Sequence, residues 1–310
     1  MHPRRSIAVA SLAVATIASF AIAAGAATFA SYDFPPAAGP WSLAPGEYYA
    51  DVSGGSFQTS SAFDAEGHRV ALGSAMEQRT FATYIDLGWK KTVSVQFGLP
   101  FTTATVSPVG GVASSQTGLG DFSVGLRWRF ANGPGASALQ LRWETPAGYD
   151  HTLTPSLGDG LQKLSATAQF GGPMGTRAFW QLGGGYRFQY KALTDITDTV
   201  TQHASAWKWP QHMTTNGALA MWFGRVQAAG LFATELASYL PGNEANKATS
   251  VALGTRLTYR MDARLDVFAG SWHTPSGVNA PSLDAYYTGI AWKANKLGRL
   301  QGFTGGEARP

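Results

Sequence analysis

Residues Gly118 to Phe130 read GLGDFSVGLRWRF. From Phe122 onward the large apolar residues fall on every second position: Phe122, Val124, Leu126, Trp128 and Phe130, with Ser123, Gly125, Arg127 and Arg129 between them. Strand side chains point alternately to two faces, so one face is apolar and the other carries two arginines. In a soluble sheet the aromatics would sit in a core and the arginines in water. In a membrane barrel the aromatics would meet lipid and the arginines would line a lumen. The rest of the chain separates these readings.

The same period-two alternation recurs from Gly46 to residue 294 and predicts strands near 46–58, 78–89, 92–105, 119–130, 136–148, 161–171, 176–191, 212–223, 226–239, 248–260, 263–273 and 284–294. Their connections alternate in length. Short turns such as Lys90-Lys91, Gly224-Arg225 and Met261-Asp262 follow the even-numbered strands. Longer polar stretches at 59–77, 106–118, 149–160, 192–211, 240–247 and 274–283 follow the odd-numbered ones. Bacterial outer-membrane barrels have an even strand count, short periplasmic turns and longer extracellular loops. The expected fold is therefore all-β: a closed antiparallel transmembrane barrel of about 12 strands, with both termini on the periplasmic side. A β-sandwich would lack the long-short asymmetry, and no propeller-like repeat of about forty residues is present.

Composition agrees. Charged residues make up 14% of the chain, about half the usual level for soluble domains, while Gly contributes 37 residues, Trp 10 and Tyr 11. A mean hydropathy of −0.07 means that apolar residues are diluted through the chain rather than gathered into helical spans. The one long apolar run is N-terminal: Arg4-Arg5, then an alanine-rich stretch from Ile7 to Ala24, then Ala24-Gly25-Ala26. That is the pattern of a secretory signal peptide over 1–26, with Thr28-Phe29-Ala30 as a later cleavage site. Residues 27–45, with several prolines, read as a periplasmic arm, 46–294 as the barrel and 295–310 as a C-terminal tail. There is no cysteine, hence no disulfide and no lipidation thiol. Loss of Arg4 and Arg5 lowers the formal charge from +4 to +2, and the basic residues form no run in the sequence, so nucleic acid is not an expected partner.

An Arg or Lys on the lipid face near the midplane costs about 2–4 kcal/mol. The face carrying Asp86, Arg127, Arg129, Arg142, Glu144, Arg187, Arg256 and Arg260 must then line the lumen. On this register Arg127 and Arg129 neighbour Arg142 and Glu144, and the unlike charges form either a structural ladder or a constriction that selects solutes. Trp89, Trp128, Trp143, Trp222 and Trp292 fall near the short-turn ends and read as an interfacial aromatic belt. Trp207 and Trp209, in the 192–211 stretch, are candidates for binding a solute at the outer side.

Signals for chemistry are weak. His203 with Ser205 and His273 with Ser276 are the nearest His-Ser neighbours, and both fall in or beside predicted loops. Asp64, Glu66, His68, Asp150, His151 and Asp159 match no strong metal spacing. No catalytic residue, metal or cofactor is expected.

The segments PWSLAPGEYYADVSGGSFQTSSAFDAEGHRV, TGLGDFSVGLRWRF and ETPAGYD with PSLGDGLQKL resemble the outer-membrane transporter family of the phenol-degradation meta-pathway type, related to long-chain fatty-acid channels. The resemblance covers most of the chain after residue 30 and rests on short Gly-rich motifs. It implies an outer-membrane barrel that passes small, often hydrophobic or aromatic compounds. Fatty-acid channels carry a longer N-terminal hatch; here the arm from Ser31 to Ala44 can at most partly plug the lumen. Tyr287, Gly289 and Trp292 resemble the terminal-strand signal read by the barrel assembly machinery, although the chain runs on past Lys293 to GGEARP. The expected function is passive diffusion of small molecules across the outer membrane, with that membrane's lipid and lipopolysaccharide as surroundings. The alternative is a barrel that acts through its outer loops, as an adhesin or surface antigen.

Overall fold

The computed structural model describes residues 40–132, 135–150, 153–158, 160–191, 211–238 and 248–294. Among these are thirteen strands and no helix: β1 (Tyr48–Phe63), β2 (Arg69–Lys90), β3 (Val93–Pro108), β4 (Ser114–Leu119), β5 (Asp121–Asn132), β6 (Ala136–Pro146), β7 (Leu161–Met174), β8 (Ala178–Lys191), β9 (Gln211–Phe223), β10 (Val226–Ser238), β11 (Thr249–Arg260), β12 (Leu265–Val278) and β13 (Ala280–Ala294). Apart from β4 and β5, which both pair with β3, each pairs antiparallel with its chain neighbours, and β1 pairs with both β2 and β13, so that Tyr49 lies between Asp86 and Lys293. The sheet therefore closes without an edge, as a barrel in lipid must.

β4 and β5 are two lengths of a single stave, both paired with β3, which makes the barrel twelve-stranded. The break lies opposite Pro100, which has no N–H to give to the ladder. Leu119 pairs with Phe101 and Ser123 with Gly98, so an extra residue bulges between them, and Gly120 and Asp121 are buried in succession. Below the bulge the stretch has the parity expected from the sequence. Phe122 to Phe130 face outward, with Trp128 and Phe130 about half exposed, while Arg127 points in and is 2% exposed.

The outer face has a readable height. On β2, Trp89, Leu87, Ile85 and Phe81 point outward, apolar apart from Thr83, over about 26 Å of strand. Beyond Phe81 the outward residues become Arg79 and Glu77, paired at 2.7 Å, and Thr103 bonds Thr117 at the same level on β3 and β4. That switch marks the upper limit of the lipid-facing band. Leu126 sits midway between Phe122 and Phe130, and replacing it with Arg is expected to cost about 2–4 kcal/mol, measured by urea unfolding in lipid vesicles. A soluble sheet would lose little at a position already 40% exposed.

Four expectations change. Residues 59–77 are not a loop: β1 and β2 run on past the apolar band to a tight turn, where Asp64 Oδ1 accepts from the N–H groups of Glu66 (3.0 Å) and His68 (2.7 Å). Residues 274–283 are likewise strand, reversing at Asn279 with a positive φ of 47°. Asn279 N–H donates to the Asp64 carbonyl, which ties the two tips together. Much of the 106–118 stretch also belongs to β3 and β4. Finally, the tryptophan belt is redrawn. Trp89, Trp128 and Trp292 stand exposed near the turn end, joined there by Trp180 on β8. Trp222 instead points inward under Arg260, 4.2 Å from its ring. Trp143 lies well up β6, level with Val124, because that strand begins at the turn end with Ala136.

The inside is not uniformly polar. Phe57, Leu231, Phe268, Trp272, Leu283 and Tyr287, from β1, β10, β12 and β13, pack into one buried apolar cluster. Most of the charges and amides lie on the wall from β2 through β10, and Arg256, Arg260, Asp266 and Lys293 flank the apolar cluster toward the turn end. Above those turn-end charges the lumen is apolar along one side and polar along the other.

Candidate functional site: the closed ends and charged wall of the lumen

At the turn end, residues 40–45 enter the barrel. Pro40 is fully buried, Ser42 and Leu43 nearly so. The Trp41 ring meets Phe179 of β8 edge-on at 5.8 Å, and its carbonyl lies 3.5 Å from an Arg127 amino group. Gly46 N–H donates to the Gly88 carbonyl, and Gly88 N–H donates back to Glu47. The segment therefore spans the mouth from β2 to β8. At the loop end, residues 155–158 and 160 fold inward: Leu157 and Pro155 are buried, and the Leu157 side chain lies against Gly118 on β4. Tyr149 anchors this loop by donating to Asp121 Oδ1 at 2.5 Å and accepting from Gly160 N–H at 3.0 Å.

Between these closures the charged side chains fall into groups. Arg127 meets Asp86 at 2.6 Å, with both side chains buried. Gln96 lies beside Asp86, and amide contacts continue from it to Gln140 (2.8 Å) and Gln169 (2.5 Å). Higher up, Lys163 pairs with Asp121 (3.2 Å) and approaches Glu144 (4.0 Å), which also holds Arg142 at 3.1 Å. Arg187 on β8 and His212 on β9 both reach Glu235 on β10, at 3.1 and 2.8 Å. On the apolar side, Arg256 lies 4.1 Å over the Phe268 ring, and Asp266 takes both Lys293 and Arg260, the latter at 3.8 Å.

The structure separates the expected neighbours. Arg127 pairs in register with Gln140, Arg129 with Ala138, Arg142 with Gly125 and Glu144 with Ser123. Arg127 therefore finds its carboxylate on β2, across Ser94 of β3, not on β6. Arg129 is a residue of the mouth, with an amino group 3.2 Å from the Lys91 carbonyl. Asp121, His212 and Glu235 belong to the charged wall but went unread. Asp121 is shifted in parity by the bulge, and Glu235 ends an Ala229-Leu231-Ala233 run that gives no sign of a carboxylate. Trp207, Trp209, His151, His203 and Asp159 lie outside the described residues. His273 lies within β12, its Nδ1 2.6 Å from Asp284 on the outer surface.

The lumen holds unfilled space between the described residues. One cavity of about 60 Å³ is bounded by Gln140, Arg142, Glu144, Arg187, Glu235 and Trp272. Another of about 90 Å³ lies nearer the turn end, between Trp41 and the Arg256 side of the wall, and Leu231 borders both.

No protein-family model matches the chain, and no curated protein matches it in sequence. Solved structures do match in fold. An outer-membrane channel from Pseudomonas putida F1 superposes with a TM-score of 0.65 at 12% identity, over 84% of this chain and 98% of that one. The translocator domain of the autotransporter NalP from Neisseria meningitidis gives 0.48 at 11% identity, over 81% and 89%. The β-domain of the Bordetella autotransporter BrkA gives 0.49 at 12%, over 80% and 99%. The chain folds as a bacterial outer-membrane β-barrel.

Proposed function

We propose that this barrel is an outer-membrane channel that passes small, hydrophobic or aromatic compounds by passive diffusion, after export has removed residues 1–26 and the barrel assembly machinery has inserted it. The observation that supports this most directly is the two-sided lumen. A packed apolar wall of Phe57, Leu231, Phe268 and Trp272 faces a wall of paired charges, and unfilled space remains between them. An apolar solute crossing such a lumen keeps one side dry and leaves the paired charges of the facing wall bonded to one another, so little desolvation opposes its passage there. The fold-level likeness to a Pseudomonas putida channel agrees with the reading. Liposome swelling tests it: small aromatic alcohols should permeate faster than sugars of equal size, and absence of permeation by any solute would sink the channel.

A further inference from the structure

We propose that the turn-side cavity binds the carboxylate of a small organic acid, a substrate class for the channel reading above, on which this inference rests. Several donor atoms there have no hydrogen-bond partner, although the Arg256 guanidinium also meets Tyr49 and Asp51. Trp222 Nε1, Arg256 Nε and Thr258 Oγ1 are buried and unbonded, and all three residues line the cavity. Arg260 Nη2, just beside them over the Trp222 ring, is likewise unbonded. A buried donor left unmade costs about 1–3 kcal/mol, so several gathered round one space mark a place built to receive an acceptor.

The charge around the cavity has the right sign. Its cations are Arg256, Arg260 and Lys293; its carboxylates are Asp266, already held by Lys293 and Arg260, and Asp51, beside Arg256. Lys90, Lys91, Arg177, Arg225 and Arg264 stand around the same mouth and outnumber its carboxylates, Glu47 and Asp262, so turns that are scattered in the sequence form a net cationic rim in space. Guanidinium and indole N–H groups are donors only, which suits an anion and gives nothing to a cation. The space is about 90 Å³. It takes a carboxylate head but not a whole aromatic ring; the body of the acid extends past Ala218 and Leu231 toward the upper cavity.

The test uses the full-length protein in detergent micelles, following tryptophan fluorescence while propionate or benzoate replaces chloride at constant ionic strength. Saturable binding is expected for both acids, with propionamide and benzamide weaker by about tenfold or more. Trp222→Phe keeps the ring and removes the donor, and should weaken both acids severalfold. Arg256→Gln should weaken them further, with heat-modifiable gel mobility as the check on folding. Equal binding of acids and amides, or acid binding unchanged in a folded Trp222→Phe or Arg256→Gln protein, overturns the site. Conductance in planar bilayers is recorded separately. Conductance without acid binding sinks the site and leaves the channel; acid binding without conductance leaves the site and sinks the channel.

Discussion

Arg127→Gln is expected to lower the stability of the barrel by about 3–5 kcal/mol, and Asp86→Asn/Arg127→Gln together to recover most of it. The Arg127 side chain is 2% exposed and Asp86 not at all, at 2.6 Å. Two charges so far from water are tolerable only because each neutralises the other and Gln96 bonds alongside. Removing the guanidinium leaves a carboxylate with no counter-charge in a low-dielectric interior; removing both charges leaves two amides among the glutamines Gln96, Gln140 and Gln169. Arg129→Gln is the control. Its amino group sits at the rim against a backbone carbonyl, so the loss should stay within about 0.5 kcal/mol. Urea unfolding in vesicles measures all four proteins. The same variants address what the arginines do. Lower stability with unchanged solute selectivity identifies Arg127 as structural; altered selectivity at unchanged stability would place it on the solute path.

The residues of the opening stretch show what could be read in advance. Leu126, Trp128 and Phe130 announce their face because lipid on one side and a polar wall on the other impose different residue types on alternate positions. Above the band that difference vanishes. Around Ser60 and Ser61 on β1 and Ser114 to Thr117 on β4 both faces carry polar side chains, so the alternation disappears although the ladder continues, and strand is mistaken for loop. The opposite failure occurs at Phe268, Trp272 and Tyr287. Apolar residues fill the inside as well as the outside there, and a pattern of alternation cannot say which face is which.

The charged site was legible in part for a related reason. Period two gives the face of Arg127 but not its height against other strands. Its height depends on stagger around the barrel and on the bulge opposite Pro100. One extra residue at Gly120-Asp121 decides that Asp121 joins Lys163, and the stagger of β2 against β5 across β3 decides that Asp86, not Glu144, meets Arg127. Neither is visible in a single strand's sequence.

The N-terminal arm was expected to plug the lumen at most partly, and the described part of it makes a sharper prediction. Trp41→Ala/Leu43→Ala should raise single-channel conductance severalfold while leaving the barrel folded. Trp41 and Leu43 fill the turn-side mouth with apolar bulk, yet the ladder of hydrogen bonds that closes the barrel does not pass through them. A second variant attacks the same closure from the wall. Gly88 faces inward, and a Cβ there would collide with the Ala44 carbonyl, a backbone atom that cannot swing aside as a side chain would. Gly88→Ala must therefore displace the segment or strain the two hydrogen bonds that Gly88 exchanges with Gly46 and Glu47. Both routes converge on one result, a wider turn-side mouth. If conductance stays at the wild-type value in both variants, the segment is a passive lining and the resistance lies with the loop that Tyr149 holds over Asp121 at the other end. Replacing Tyr149 with Phe, which removes its bonds to Asp121 and Gly160, would then be the change that opens the pore.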